Sequence, residues 1–77
     1  MKQKIVKIEW LDSKAASHEW EYRDELEGLE PVICTTVGFV IDETKRYITI
    51  AHTTSETQLL GRITIPRACI VKQKVLR

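Results

Sequence analysis

Apolar and polar positions alternate most clearly between Pro31 and His52, where two β-rich runs flank Asp42-Glu43-Thr44-Lys45-Arg46, five residues without an apolar side chain. β-Branched and aromatic residues suit a pleated surface, and a short polar break between two such runs reads as a hairpin. Period-two alternation puts Ile33, Val37, Phe39 and Ile41 on one face of the first run, and Ile48 and Ile50 on one face of the second. Lys4 to Leu11 predicts an earlier strand, with Val6, Ile8 and Trp10 alternating against Lys7 and Glu9. Asp12-Ser13 ends that strand with turn chemistry.

From Lys14 to Glu30 the pattern is weak. Ser17 as a cap and Gly28 as a left-handed stop bracket one short helix around Tyr22 to Glu27, with Leu26 and Trp20 packing on the sheet. Pro31 then starts the long extended run. Gly38 inside that run calls for a bend or a close approach. Thr53 to Thr57 reads as a polar loop, and Leu59 to Ile65 as a fourth strand with Ile63 and Ile65 inward. Pro66 stops its ladder, Arg67-Ala68-Cys69 makes one tight turn, and Ile70 to Leu76 returns as the fifth strand. The expected core is Val37, Phe39, Ile48, Ile50, Ile63 and Ile65.

Five short strands, one small helix after the first and no βαβ spacing predict a single mainly β domain over residues 1–77. The order strand, insertion, long hairpin, strand, one-turn helix, strand is that of a small antiparallel SH3-like or Sm-like barrel. A chain of 77 residues buries only roughly 60% of its unfolded surface and keeps a margin of ~3–5 kcal/mol. A partner subunit is a common remedy, so a homo-oligomer is expected. Cys34 and Cys69 lack CxxC spacing and have no signal peptide ahead of them, which predicts two reduced thiols in a cytoplasmic protein. No apolar run approaches the ~20 residues of a membrane span.

Formal net charge is +1, too small for strong attraction to phosphate by bulk charge alone. Its distribution says more. Residues 19–30 hold six acids against Arg23, while residues 62–77 hold five bases and no acid. The two segments carry −5 and +5, which solvated faces or complementary surfaces of two protomers would both explain.

No catalytic constellation emerges. His18 and His52 belong to no metal-ligand spacing, no Walker loop or GxGxxG occurs, and nothing near either cysteine marks a nucleophile. The expectation is therefore a non-enzyme without metal or cofactor. The candidate binding residues are Trp10 and Trp20 for stacking on a flat ligand, Arg62 and Arg67 for phosphate or carboxylate, and His52 with Thr53 at the end of the third strand.

Trp10-Leu11-Asp12-Ser13, Trp20, Leu29-Glu30-Pro31, Thr36-Val37-Gly38-Phe39-Val40, Ile48-Thr49-Ile50-Ala51 and Ile65-Pro66-Arg67-Ala68-Cys69-Ile70 together resemble a family of short bacteriophage and prophage proteins of unassigned function. The resemblance spans nearly the whole chain and implies an intracellular protein of the infected host's cytoplasm, with no catalytic residues to carry over. The chain departs from the Sm pattern: it contains no asparagine, so the Asn of the usual Sm RNA-binding signature is absent, as is the bacterial Lys-His pair. A phage-type binding protein is expected, one that sequesters a nucleotide-derived immune signal or blocks a host factor. The alternatives are a nucleic-acid-binding or regulatory barrel and a structural or assembly accessory protein.

Overall fold

The computed structural model describes residues 3–16 and 18–77. Five strands follow one another: β1 (Ile5–Asp12), β2 (Val32–Glu43), β3 (Tyr47–Thr54), β4 (Leu59–Pro66) and β5 (Ile70–Val75). They form one antiparallel sheet in the order β4-β3-β2-β1-β5. Every strand foreseen in the sequence is present. Thr53 and Thr54, expected in a loop, instead extend β3 and pair with Leu60 and Leu59.

The expected closed barrel is corrected to a single open sheet, since β4 and β5 lie at opposite ends of the strand order and do not pair. Pro66 has no N–H to extend the ladder, and the 3₁₀ turn Arg67–Cys69 carries the chain across to β1. The sheet nevertheless curls. Val6, Ile8, Ile48, Ile50 and Ile65 come from β1, β3 and β4, yet they form one fully buried cluster. Side chains on one face of a single sheet lose all contact with water only if that face folds over itself. Trp10, Val40, Ile63 and Ile70 close the cluster at its margins.

On β2 the alternation is as expected but the inward face is the opposite one. Gly38 and Val40 face the cluster, opposite Val6 and Ile50, whereas Phe39 lies on the outer face between Ile5 and Ala51 and is half-buried. Val37 shares that outer face and is exposed. Gly38 explains the choice: a Cβ there would lie 2.7 Å from the Ala51 carbonyl oxygen, so β3 approaches closer than a side chain permits.

The β2–β3 turn is tighter than the five-residue break suggested. The Thr44 N–H donates to the Tyr47 carbonyl at 2.8 Å, and the Thr44 hydroxyl accepts from the Arg46 and Tyr47 N–H groups at 3.1 Å. A bulge between Val40 and Asp42 precedes it. The extra residue inverts the facing of the last part of β2, bringing Glu43 opposite Ile48 on the inner side of the sheet.

The helix expected around Tyr22 to Glu27 shrinks to a 3₁₀ turn at Arg23–Glu25, closed by the Glu25 N–H donating to the Tyr22 carbonyl. Its proposed cap, Ser17, lies outside the described residues. Gly28 is not left-handed; Gly61 is, at φ 73°. Neither Trp20 nor Leu26 packs on the sheet, and both are exposed. The physical reason is composition: four apolar side chains, spread among six acids, supply no stripe whose burial would offset the cost of nucleating a helix. Every described residue from Ser13 to Pro31 is exposed, forming an arm rooted where Asp12 pairs with Val32. The molecule spans 56 × 24 × 19 Å with a radius of gyration of 16.4 Å. A compact chain of this length would have a radius of about 11–12 Å.

Candidate functional site

The six candidate binding residues do not converge. Trp10 on β1 is a packing residue: its ring lies against the buried cluster, and its Nε1–H donates to the Thr36 hydroxyl at 2.9 Å. Trp20 sits fully exposed on the arm. The two indoles therefore do not share a pocket wall.

Arg67 is likewise held by internal partners. Its Nε donates to the Thr44 carbonyl at 3.1 Å, Nη1 to Gln73 Oε1 at 3.1 Å and Nη2 to Glu43 Oε2 at 3.2 Å, while its backbone N–H donates to the Arg46 carbonyl at 2.8 Å. One planar guanidinium thus ties the β2–β3 turn to β5. Lys4 Nζ reaches the other oxygen of Glu43 at 3.2 Å. This hydrogen bond, and then the Arg67 guanidinium, hold the Glu43 carboxyl below the usual carboxylate range despite an opposing desolvation effect. The sequence offered no sign of this knot, because the β2 bulge is what turns Glu43 towards both cations.

A pKa lowered by folding stabilises above the unfolded-state value and loses that contribution as pH falls through the folded-state value. Glu43→Gln keeps the shape and the hydrogen-bond acceptor but removes the charge. Its melting temperature is expected to lie below wild type above the usual carboxylate range, with the gap closing as pH falls below that range. A gap that stays constant over that range would show that the carboxylate charge contributes nothing. Arg67→Ala is expected to lower melting with no ligand present, as a structural role requires.

Thr53 and Arg62 line one cleft near the β3–β4 turn, and His52 adjoins it through Thr53. His52 Nδ1 and the Thr53 hydroxyl are 2.7 Å apart, and the His52 ring occupies the space a side chain at position 61 would need. The left-handed glycine thus seats the imidazole. A shallow, open cleft beside it is lined by Thr53, Thr54, Ser55, Gln58 and Arg62, with Gln3 from the opposite wall. Some of this polarity is already paired: Thr54 donates to Gln3 Oε1 at 3.0 Å, and the Ser55 hydroxyl exchanges hydrogen bonds with the backbone of Gln58. The cleft has one arginine and no aromatic wall.

Cys34, opposite Trp10, and Cys69, at the end of the 3₁₀ turn, are both half-buried free thiols. Among the described residues, no group of three or more His, Cys, Asp or Glu side chains is placed to hold a metal ion. Among them, too, no helix is long and apolar enough to cross a membrane.

The sequence marked residues 19–30 as an acidic surface but placed Trp20 and Leu26 against the sheet, whereas the arm leaves its large apolar side chains in solvent. Trp20, Tyr22, Leu26 and Leu29 are all exposed on it, among the acids of residues 19–30. The signal was available, since a stretch with too few apolar residues to build a helix face has none to bury.

The fold and its surfaces define a small all-β protein bearing an exposed aromatic and acidic arm. No protein-family model, curated protein or solved structure matches the chain.

Proposed function

We propose that the chain is a non-enzymatic binding protein of bacteriophage type, acting in the host cytoplasm, whose gripping element is the arm and whose target is a protein surface. Blocking a host factor is the form of counter-defence this favours. One observation carries the reading: Trp20, Tyr22, Leu26 and Leu29 lie exposed on a projecting segment. Four large apolar side chains exposed within one short segment are more than the scattered single exposures of an ordinary surface, and Trp and Tyr contribute heavily to the binding energy of protein interfaces. The strand order and the 3₁₀ link from β4 to β5 support placing the sheet with the SH3-like and Sm-like barrels, in an open form.

Capture of a nucleotide-derived signal is the second reading. It is favoured by the cleft where Thr53 and Thr54 hydroxyls stand beside Arg62.

A photoreactive benzophenone amino acid in place of Trp20, and separately in place of Thr57 at the cleft, distinguishes the two in bacterial cells. Irradiation is expected to give discrete protein adducts from position 20 and not from position 57. A nucleotide panel is expected to leave the melting temperature unchanged. Absence of adducts at position 20 overturns the protein-binding reading. A nucleotide that raises melting in wild type but not in Arg62→Ala establishes the second.

A further inference from the structure

The outer face of β1 and β5 gathers three lysines that one glutamate balances only in part. Lys7 on β1 lies directly opposite Lys74 on β5, and Lys72 lies opposite Glu9. These four side chains line one shallow depression. Like charges facing each other across a ladder destabilise it, whereas an anion between them removes the repulsion. The ion pairs among the described residues, Lys4 and Arg67 with Glu43, involve none of these three lysines. Across β1 the same face continues into Val37, which pairs with Lys7, and Ile33, which pairs with Leu11. All three of these apolar side chains are exposed.

We infer that this lysine-lined face receives the arm of a second copy of the chain, in a two-fold pair where each arm crosses the partner's β1–β5 face. The inference rests on the reading of the arm as the binding element and takes a second copy of the chain, in place of a host factor, as the protein surface it grips. The complementarity is double. Residues 19–30 carry −5 in total, with Trp20, Tyr22 and Leu26 interleaved among the acids, and the face offers lysines beside Val37, Ile33 and Leu11. A nucleic acid or polyphosphate would match the lysines alone and leave the apolar strip uncovered. Reciprocal docking is self-complementary, as a two-fold interface requires. Size agrees as well. Two aromatics bring ~300–500 Å² per arm, and with the aliphatic side chains of both arms and both faces this comes within reach of the ~1,600 Å² of a stable interface. Apolar contact then supplies the affinity, and the charges select the docking direction.

Charge reversal tests the pairing. Molar mass is measured by light scattering at micromolar concentration for wild type, for the face variant Lys7→Glu/Lys74→Glu and for the arm variant Glu25→Lys/Glu27→Lys. Every substituted residue is exposed, and circular dichroism melting confirms that each variant folds. Wild type is expected at twice the chain mass and each variant alone at the single-chain mass. The equimolar mixture should return to twice the chain mass, because the acidic arm then meets the basic face, and the two introduced lysines of the other arm, whose net charge falls from −5 to −1, meet the acidic face. A wild-type monomer overturns the inference, as does a dimer insensitive to both reversals, or a mixture that stays monomeric. A monomer whose melting rises with RNA or DNA oligomers in a Lys7- and Lys74-dependent way assigns the face to nucleic acid instead. The two readings fail separately: a monomer that still yields position-20 adducts with host proteins removes the second copy but keeps the arm as the binding element. Dimers untouched by arm reversal, together with no position-20 adducts, remove the arm itself.

Discussion

Ile8→Ala is expected to unfold most of the protein at ambient temperature. Ile8 has no exposed surface and lies in the cluster shared by β1, β3 and β4. Replacing a buried isoleucine with alanine costs about 2–5 kcal/mol, through lost transfer free energy and an unfilled cavity. A domain this small holds only ~3–5 kcal/mol in total, so one truncation removes most or all of it. Phe39→Ala is the informative comparison. Phenylalanine is the larger side chain, but here it is half-buried on the outer face between Ile5 and Ala51. Its truncation is expected to cost less than that of Ile8. Urea and thermal denaturation followed by far-ultraviolet circular dichroism measure both. Melting of Ile8→Ala within about 4 °C of wild type would mean under ~1 kcal/mol and would remove Ile8 from the core. The reverse ranking would exchange the two faces of β2.

Gly38→Ala is expected to be nearly as damaging as a core truncation, although it adds only a methyl group. The new Cβ would stand 2.7 Å from the Ala51 carbonyl oxygen and 3.2 Å from its carbon. Both are backbone atoms in a ladder, so relief requires β2 and β3 to separate beside the buried cluster. Inserting one methyl group into such packing costs about 1–3 kcal/mol, and Gly38→Val should exceed it. Gly28→Ala serves as the control, because a Cβ at position 28 has nothing within 4 Å. It is expected to stay within about 0.5 kcal/mol of wild type. If the two alanine variants melt together, β2 and β3 are not in the close approach that bends the sheet.

The number, order and antiparallel pairing of the strands were legible in the sequence, because alternation and turn residues are local properties. The runs around Val6, Ile48 and Ile63 announce strands wherever they are placed. So does the stop at Pro66 followed by a three-residue turn, which appears where the pattern put it. The inward face of β2 was not legible, since period-two spacing divides Phe39 from Val40 without saying which set meets the core. Closeness to Ala51 decided it, and Gly38 is where that shows.

The candidate site divides in the same way. Residue type singled out Arg67 and Trp10 as ligand-binding candidates, but tertiary contacts engage both within the protein itself. Only Thr53 and Arg62 share a cleft, on the two strands of one hairpin, with His52 hydrogen-bonded to Thr53 beside it. The Glu43 knot depends on a single extra residue in β2, which reverses a side chain's direction and leaves no trace in composition. Trp20 shows the converse. Its sequence surroundings held too few apolar neighbours to bury it, and the structure leaves its indole in water. Local pattern determined which segments are strands and which segment has no core of its own. Long-range packing decided which faces close, which charges meet and which aromatic stays free, because each of those depends on what another strand brings to the same place.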